Sequence, residues 1–204
     1  MKKSIFTIIT LLVISMSSAS AQVIWGLRAG ASIPTLSISA GGGSVSADGK
    51  FSFEVGPTLY YGLKDNWYLN SGAMYSLKRF DSGDSETFNM HYLEIPLYLG
   101  YAIPLGSVQT YVQAGPYIGF KLSESFADRS EIFDADYYDE SGVSNFNAGI
   151  GIMYGINIKK FKIEAGYQYG LANILELPDD YDDYDGPKLK ARLNSLFLGV
   201  SYVF

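Results

Sequence analysis

From Phe146 to Ile158 the chain alternates with a period of two. Phe146, Ala148, Ile150, Ile152, Tyr154, Ile156 and Ile158 fall on one face, and Asn147, Gly149, Gly151, Met153, Gly155 and Asn157 on the other. A helix scatters such a pattern around its axis, whereas a strand sorts it automatically. Ala114, Pro116, Ile118, Phe120 and Leu122 alternate in the same way with Gly115, Tyr117, Gly119 and Lys121. The pattern predicts eight strands, at 23–32, 51–61, 67–79, 90–101, 108–122, 144–158, 161–171 and 191–204. Each reaches the roughly 9–11 residues that a tilted strand needs to cross a bilayer.

The connections between these strands alternate in length. Three are short, at 62–66, 102–107 and 159–160, and four are long, at 33–50, 80–89, 123–143 and 172–190. Short turns at one end and long loops at the other describe an antiparallel up-and-down transmembrane β-barrel, with periplasmic turns and extracellular loops. An even strand count puts both ends of the barrel on the periplasmic side. Aromatic residues gather near the ends of the apolar faces. Trp25, Tyr61, Trp67, Tyr101, Phe161, Tyr202 and Phe204 mark one rim, and Tyr75, Phe146, Tyr167 and Tyr169 the other. Two such rims match the interfacial girdles of a membrane barrel. The rival architecture is a soluble, lipocalin-like barrel, which would turn the same apolar face inward.

The first residues agree with an exported protein. Lys2 and Lys3 precede an apolar run from Ile5 to Ile14, which leads into Ala19-Ser20-Ala21. These are the three parts of a secretory signal peptide, and the apolar run is too short to span a bilayer as a helix. Residues 1–21 are therefore expected to be cleaved, leaving residues 22–204 as the barrel domain. No cysteine follows the cleavage position, so no lipoprotein anchor is expected. Removal of Lys2 and Lys3 leaves 13 basic and 21 acidic side chains, a net charge of about −8. That balance argues against a nucleic-acid partner. Seventeen Tyr, 12 Phe and 22 Gly, with no Cys, suit a membrane barrel, which needs no disulfide to hold it.

Tyr92-Leu93-Glu94-Ile95-Pro96-Leu97 resembles the "LEIPL" strand of the PorT-like outer membrane β-barrel family of Bacteroidota. Tyr111 to Gly119, Asn147 to Gly151, Tyr167 to Leu171 and Phe197 to Phe204 are similar to later strands of that family. The resemblance covers essentially the whole chain after residue 21. It implies an eight-stranded barrel in the bacterial outer membrane, and some members are tied to protein secretion across that membrane. The last strand, with Val200, Tyr202 and Phe204 on one face, resembles the signal read by the barrel assembly machinery.

Candidate chemistry lies first in the inward charges. On this register Arg28, Glu54, Glu94, Lys121, Lys162 and Glu164 point into the lumen. An eight-stranded barrel has an interior just filled by side chains, so the expectation is a structural network of ion pairs and hydrogen bonds. A proton path or a ligand site is the alternative. The third and fourth long loops are acidic. One holds Glu124, Asp128, Glu131, Asp134, Asp136, Asp139 and Glu140, and the other Glu176, Asp179, Asp180, Asp182, Asp183 and Asp185. Such loops can hold calcium, but the 179–185 spacing lacks the glycine and terminal glutamate of an EF-hand, so a solvated acidic surface is expected. Aromatics on these loops suit a protein partner.

His91 is the sole histidine and stands near the outer end of its strand without a neighbouring serine placed for it to activate. It reads as an interfacial side chain rather than a base. There is no G-x-S-x-G elbow and no cluster of His and Cys ligands. No catalytic, cofactor-binding or metal residue is assigned. The expected function is a structural or interaction role in the outer membrane. The alternatives are an accessory role in transport or secretion, and modification of outer-leaflet lipid through His91. Expected partners are membrane lipid, the barrel assembly machinery through the strand ending at Phe204, and a protein at the extracellular loops.

Overall fold

A computed structural model describes residues 23–81, 87–106, 108–126, 142–175 and 189–204. The strands are β1 (Val23–Ala40), β2 (Gly43–Gly62), β3 (Trp67–Gly72), β4 (Met74–Asp81), β5 (Thr87–Leu105), β6 (Val108–Phe126), β7 (Phe146–Ile158), β8 (Phe161–Gly170) and β9 (Lys190–Val203). Every pairing is antiparallel, and β1 pairs with both β2 and β9, so the sheet closes on itself.

Strands β3 and β4 are two halves of one stave. Thr58 opposite Gly72 and Val55 opposite Tyr75 lie on a single register line, and so do Ser71 opposite Leu97 and Met74 opposite Glu94. The ladder lapses between them because Pro57 on one side and Pro96 on the other have no N–H to give. The Ala73 amide still donates to the Pro57 carbonyl at 3.1 Å. Eight staves therefore form the ring, as the period-two pattern predicts.

The faces sort with the sequence parity. Leu97, Ile150, Ile152 and Leu198 are exposed on the outside, while Arg28, Glu54, Glu94 and Glu164 are buried inside. This polarity is the reverse of a soluble barrel and is stable only where lipid surrounds the outer face. The aromatic rims are present. Trp67 stacks near Tyr101 at 5.0 Å, and Tyr202 lies 5.3 Å from Phe161 and 5.4 Å from Phe204. At the other rim Phe120 and Phe146 are 5.8 Å apart.

Two features differ from the sequence expectation. The first long connection, 33–50, is not a loop: β1 and β2 run on through it to a two-residue turn at Gly41-Gly42. Both glycines have positive φ, 55° and 89°, as a type I′ turn requires. The Ser-rich segment on either side carries little alternation of its own, and only pairing with the partner strands decides it. The other long connections are also trimmed by strand extensions, to Asp81, from Thr87 and to Phe126. The expected signal peptide, and all the acidic loop residues named above except Glu124, lie outside the described residues.

Candidate functional site: the charged lumen

The lumen is filled in levels, and each level follows from what stands opposite a large inward side chain. Arg28 faces Gly56 and Ser201 on its two neighbouring strands, Glu54 faces Gly30, Glu94 faces Gly119, and Glu164 faces Gly155 and Gly199. Small residues beside long ones let a narrow barrel hold charged side chains at interior packing density.

The level nearest the periplasmic turns is built on Lys162. Its ammonium lies 4.1 Å from the ring centres of both Tyr60 and Tyr111 and 5.2 Å from that of Tyr68. Cation–π attraction inside a desolvated site gives this box its strength. Tyr111 also donates to Glu164 at 2.7 Å, which ties the box to the next level.

That next level is the triad of Arg28, Glu54 and Glu164. The Arg28 Nη2 meets Glu54 Oε1 at 2.5 Å, and Nη1 meets Glu164 Oε1 at 3.2 Å. All three are at most 2% exposed. The guanidinium also lies over the Phe197 ring at 5.1 Å. One cation against two carboxylates leaves the triad net negative, and its remaining acceptors draw on Tyr111.

Above the triad, Glu94 forms an ion pair with Lys78 at 2.9 Å and accepts from the Gln168 amide at 3.4 Å. Asn147 lies two strands across in the same register line and is fully buried. Toward the extracellular end the chemistry becomes apolar. Ile174, from the connection after β8, inserts among Phe80, Met90, Tyr92, Ala191 and Leu193. Backbone bonds from Ser144 to Ile174 (2.8 Å) and from Ile174 to Ala191 (2.9 Å) hold it there, beside the Val143–Leu175 bridge.

Of the six charges singled out from the sequence, Arg28, Glu54 and Glu164 meet directly. Glu94 lies a level above them with a different partner, and Lys162 sits in the tyrosine box a level below. Lys121 stands apart near the outer rim, where it bonds Glu124 at 2.9 Å and the Val143 carbonyl at 2.7 Å. Sequence reasoning missed Lys78 and the inward tyrosines Tyr60, Tyr68 and Tyr98, while Tyr111 and Tyr117 lie on the inward face as the alternation predicts. Parity counted from the outward Trp67 would have placed Lys78 inside. Parity does not reveal which charges pair, because the partners come from distant strands.

His91 is outside this chamber, on the lipid side, with its Nδ1 2.6 Å from the Tyr75 hydroxyl. No group of three or more His, Cys, Asp or Glu able to hold a metal ion is found among the described residues.

No curated protein matches the chain in sequence. Among solved structures it is similar to Neisserial surface protein A, at 18% identity and a TM-score of 0.45, covering 87% of this chain and 97% of that one. It is also similar to OprG from Pseudomonas aeruginosa, at 16% identity and a TM-score of 0.48, covering 90% and 97%. Ail of Yersinia pestis aligns at 12% identity and a TM-score of 0.42, covering 88% and 99%. The model of the outer membrane protein β-barrel domain matches residues 17–176. Closed antiparallel staves, an apolar outer face and a polar core agree with that match: the chain belongs to the outer membrane protein β-barrel domain family and resides in the bacterial outer membrane.

Proposed function

We propose that this protein is a plugged, non-catalytic scaffold of the outer membrane, with a structural or interaction role exercised at its extracellular end. The observation that carries this reading is the filled lumen. An apolar cluster around Ile174, the Glu94–Lys78 pair, the Arg28 triad and the Lys162 box succeed one another along the axis. A solute would have to break several buried ion pairs to pass, each at a cost of several kcal/mol. The chain is expected to be exported by cleavage after Ala21 and inserted through its last strand by the barrel assembly machinery. Outer membrane lipid contacts its outward face.

Two measurements test this. In planar lipid bilayers the purified barrel gives no step conductance above the bare membrane; porin-like steps would refute the plug. The chain has no cysteine, so Val45→Cys places a single thiol on the exposed tip of the β1–β2 hairpin. A thiol cross-linker applied to cells then captures a discrete partner. A thiol that labels well but cross-links to nothing would leave only the structural role.

The "LEIPL" strand supports a second reading, as an accessory of secretion in the manner of some PorT-like proteins. Deletion of the gene would then lower the amount of exported protein outside the cell, with the permeability of the membrane unchanged.

A further inference from the structure

The outer face carries a polar corner where β2, β4 and β5 reach the extracellular end. Three residues make it: Lys50, Arg79 and His91. Period two along β2 places Phe51 and Phe53 outward and so Lys50 inward. A register shift between Lys50 and Phe53 undoes this and sets Lys50 directly opposite Arg79. Such bulges re-aim a side chain at the cost of ladder bonds. Here the Ser52 hydroxyl spans the irregularity. It donates to the Lys50 carbonyl at 2.9 Å and accepts from the Arg79 amide at 3.0 Å.

The outcome is two cations facing each other across adjacent strands, an unfavourable pairing unless an anion joins them. Asp81 meets Lys50 at 3.2 Å and offsets one charge, and the same ammonium donates to the Thr87 hydroxyl at 3.1 Å, which leaves Arg79 as the main donor of the corner. The Arg79 guanidinium has no ion pair among the described residues. Next to it, His91 is held through Nδ1 by Tyr75, whose ring also packs against Phe53 at 6.0 Å. This contact orients the imidazole, and Nε2 is the ring nitrogen that Tyr75 does not engage. His91 lies about ten residues along β5 from Tyr101 of the periplasmic girdle, which is the length of one bilayer crossing. The corner thus stands at the level of the outer headgroups, with Leu77 and Leu93 directly below in the lipid-facing band.

We propose that Arg79, Lys50 and His91 form a binding site for a phosphate group borne on an outer-leaflet glycolipid. A guanidinium fork suits a phosphate monoester, and the ammonium and imidazole supply further donors. The acyl chains of the same lipid would lie along Leu77, Leu93 and Phe53. Position commits the site to a membrane-borne phosphate, since the apolar shelf beneath it favours a ligand that is itself anchored in lipid.

The test uses the full barrel in neutral detergent, titrated with diphosphoryl lipid A, with the same lipid after phosphatase treatment, and with inorganic phosphate. Heat-dependent mobility on gels confirms that each variant is folded. Saturable binding of the phosphorylated lipid is expected, with Arg79→Gln weakening it about tenfold, the equivalent of one charge-assisted hydrogen bond. Lys50→Gln weakens it in the same direction. Arg192→Gln, on the far side of the barrel where the guanidinium already serves Tyr169 at 3.1 Å, leaves it unchanged. Equal affinity for the dephosphorylated lipid, displacement by millimolar inorganic phosphate, or wild-type binding by folded Arg79→Gln would each overturn the proposal. None of these outcomes touches the plug, which conductance tests separately.

Discussion

Arg28 on β1 and Glu164 on β8 are 136 positions apart in the chain and 3.2 Å apart across the lumen. Because β9 alone separates their strands in the ring, the contact exists only when the barrel has closed. Removing the cation strands two buried carboxylates. Arg28→Met should therefore cost about 3–5 kcal/mol, measured by urea unfolding in lipid. The triple variant Arg28→Met, Glu54→Leu, Glu164→Leu should recover most of that loss, because an apolar replacement of a whole buried ion cluster is close to neutral. A single variant as stable as wild type would show the triad to be hydrated and weak.

Ile150 and Gly149 are neighbours on opposite faces of β7, and they separate the membrane from the lumen as causes of instability. Ile150→Arg puts a charge into lipid and should cost roughly 2–4 kcal/mol near mid-membrane. Leu97→Arg should behave alike. Gly149 faces inward, where a Cβ would meet the Tyr169 carbonyl at 2.1 Å and the Tyr117 ring at 2.7 Å. Gly149→Ala should thus fail through crowding, even though alanine is apolar. Normal assembly of Ile150→Arg in vesicles would show the register to be wrong.

Gly100 offers a cleaner reading of lumen packing. The three atoms nearest a Cβ built there all belong to the Tyr68 ring, at 2.2–2.6 Å. Gly100→Ala should destabilise by about 1–3 kcal/mol, the usual cost of overpacking. In combination with Tyr68→Ala that cost should vanish, and a double-mutant cycle would give a coupling of similar size. Additive effects would place Tyr68 elsewhere.

Lys162 tests the tyrosine box. Lys162→Met keeps a long chain among Tyr60, Tyr68 and Tyr111 but removes the charge. The expected loss is about 1–2 kcal/mol if cation–π attraction holds the box. A gain in stability would mean that desolvation of the ammonium outweighs that attraction.

The sequence by itself determined the staves and their faces. Alternation at 146–158 decides which side chains enter the lumen, since in a strand parity leaves no other choice. The short turns were legible as well, because the alternation breaks at 62–66 and 159–160 between strongly patterned strands, and there Asp65, Asn66 and Lys159 take positive φ. The extension of β1 and β2 to Gly41-Gly42 was not, because Ser, Ala and Gly carry little alternation of their own. Their hydrogen bonds come from partners, Ala40 opposite Gly43 in the hairpin and Ser39 opposite Lys190 on β9. Parity also gave the inward charges but not their pairing. Whether Glu94 meets Lys78 or Arg28 depends on the stagger of the closed barrel, a quantity summed over all the strand registers. The turn of Lys50 toward Arg79 likewise rests on a bulge between two strands, where pairing across the sheet overrides the period within a single strand.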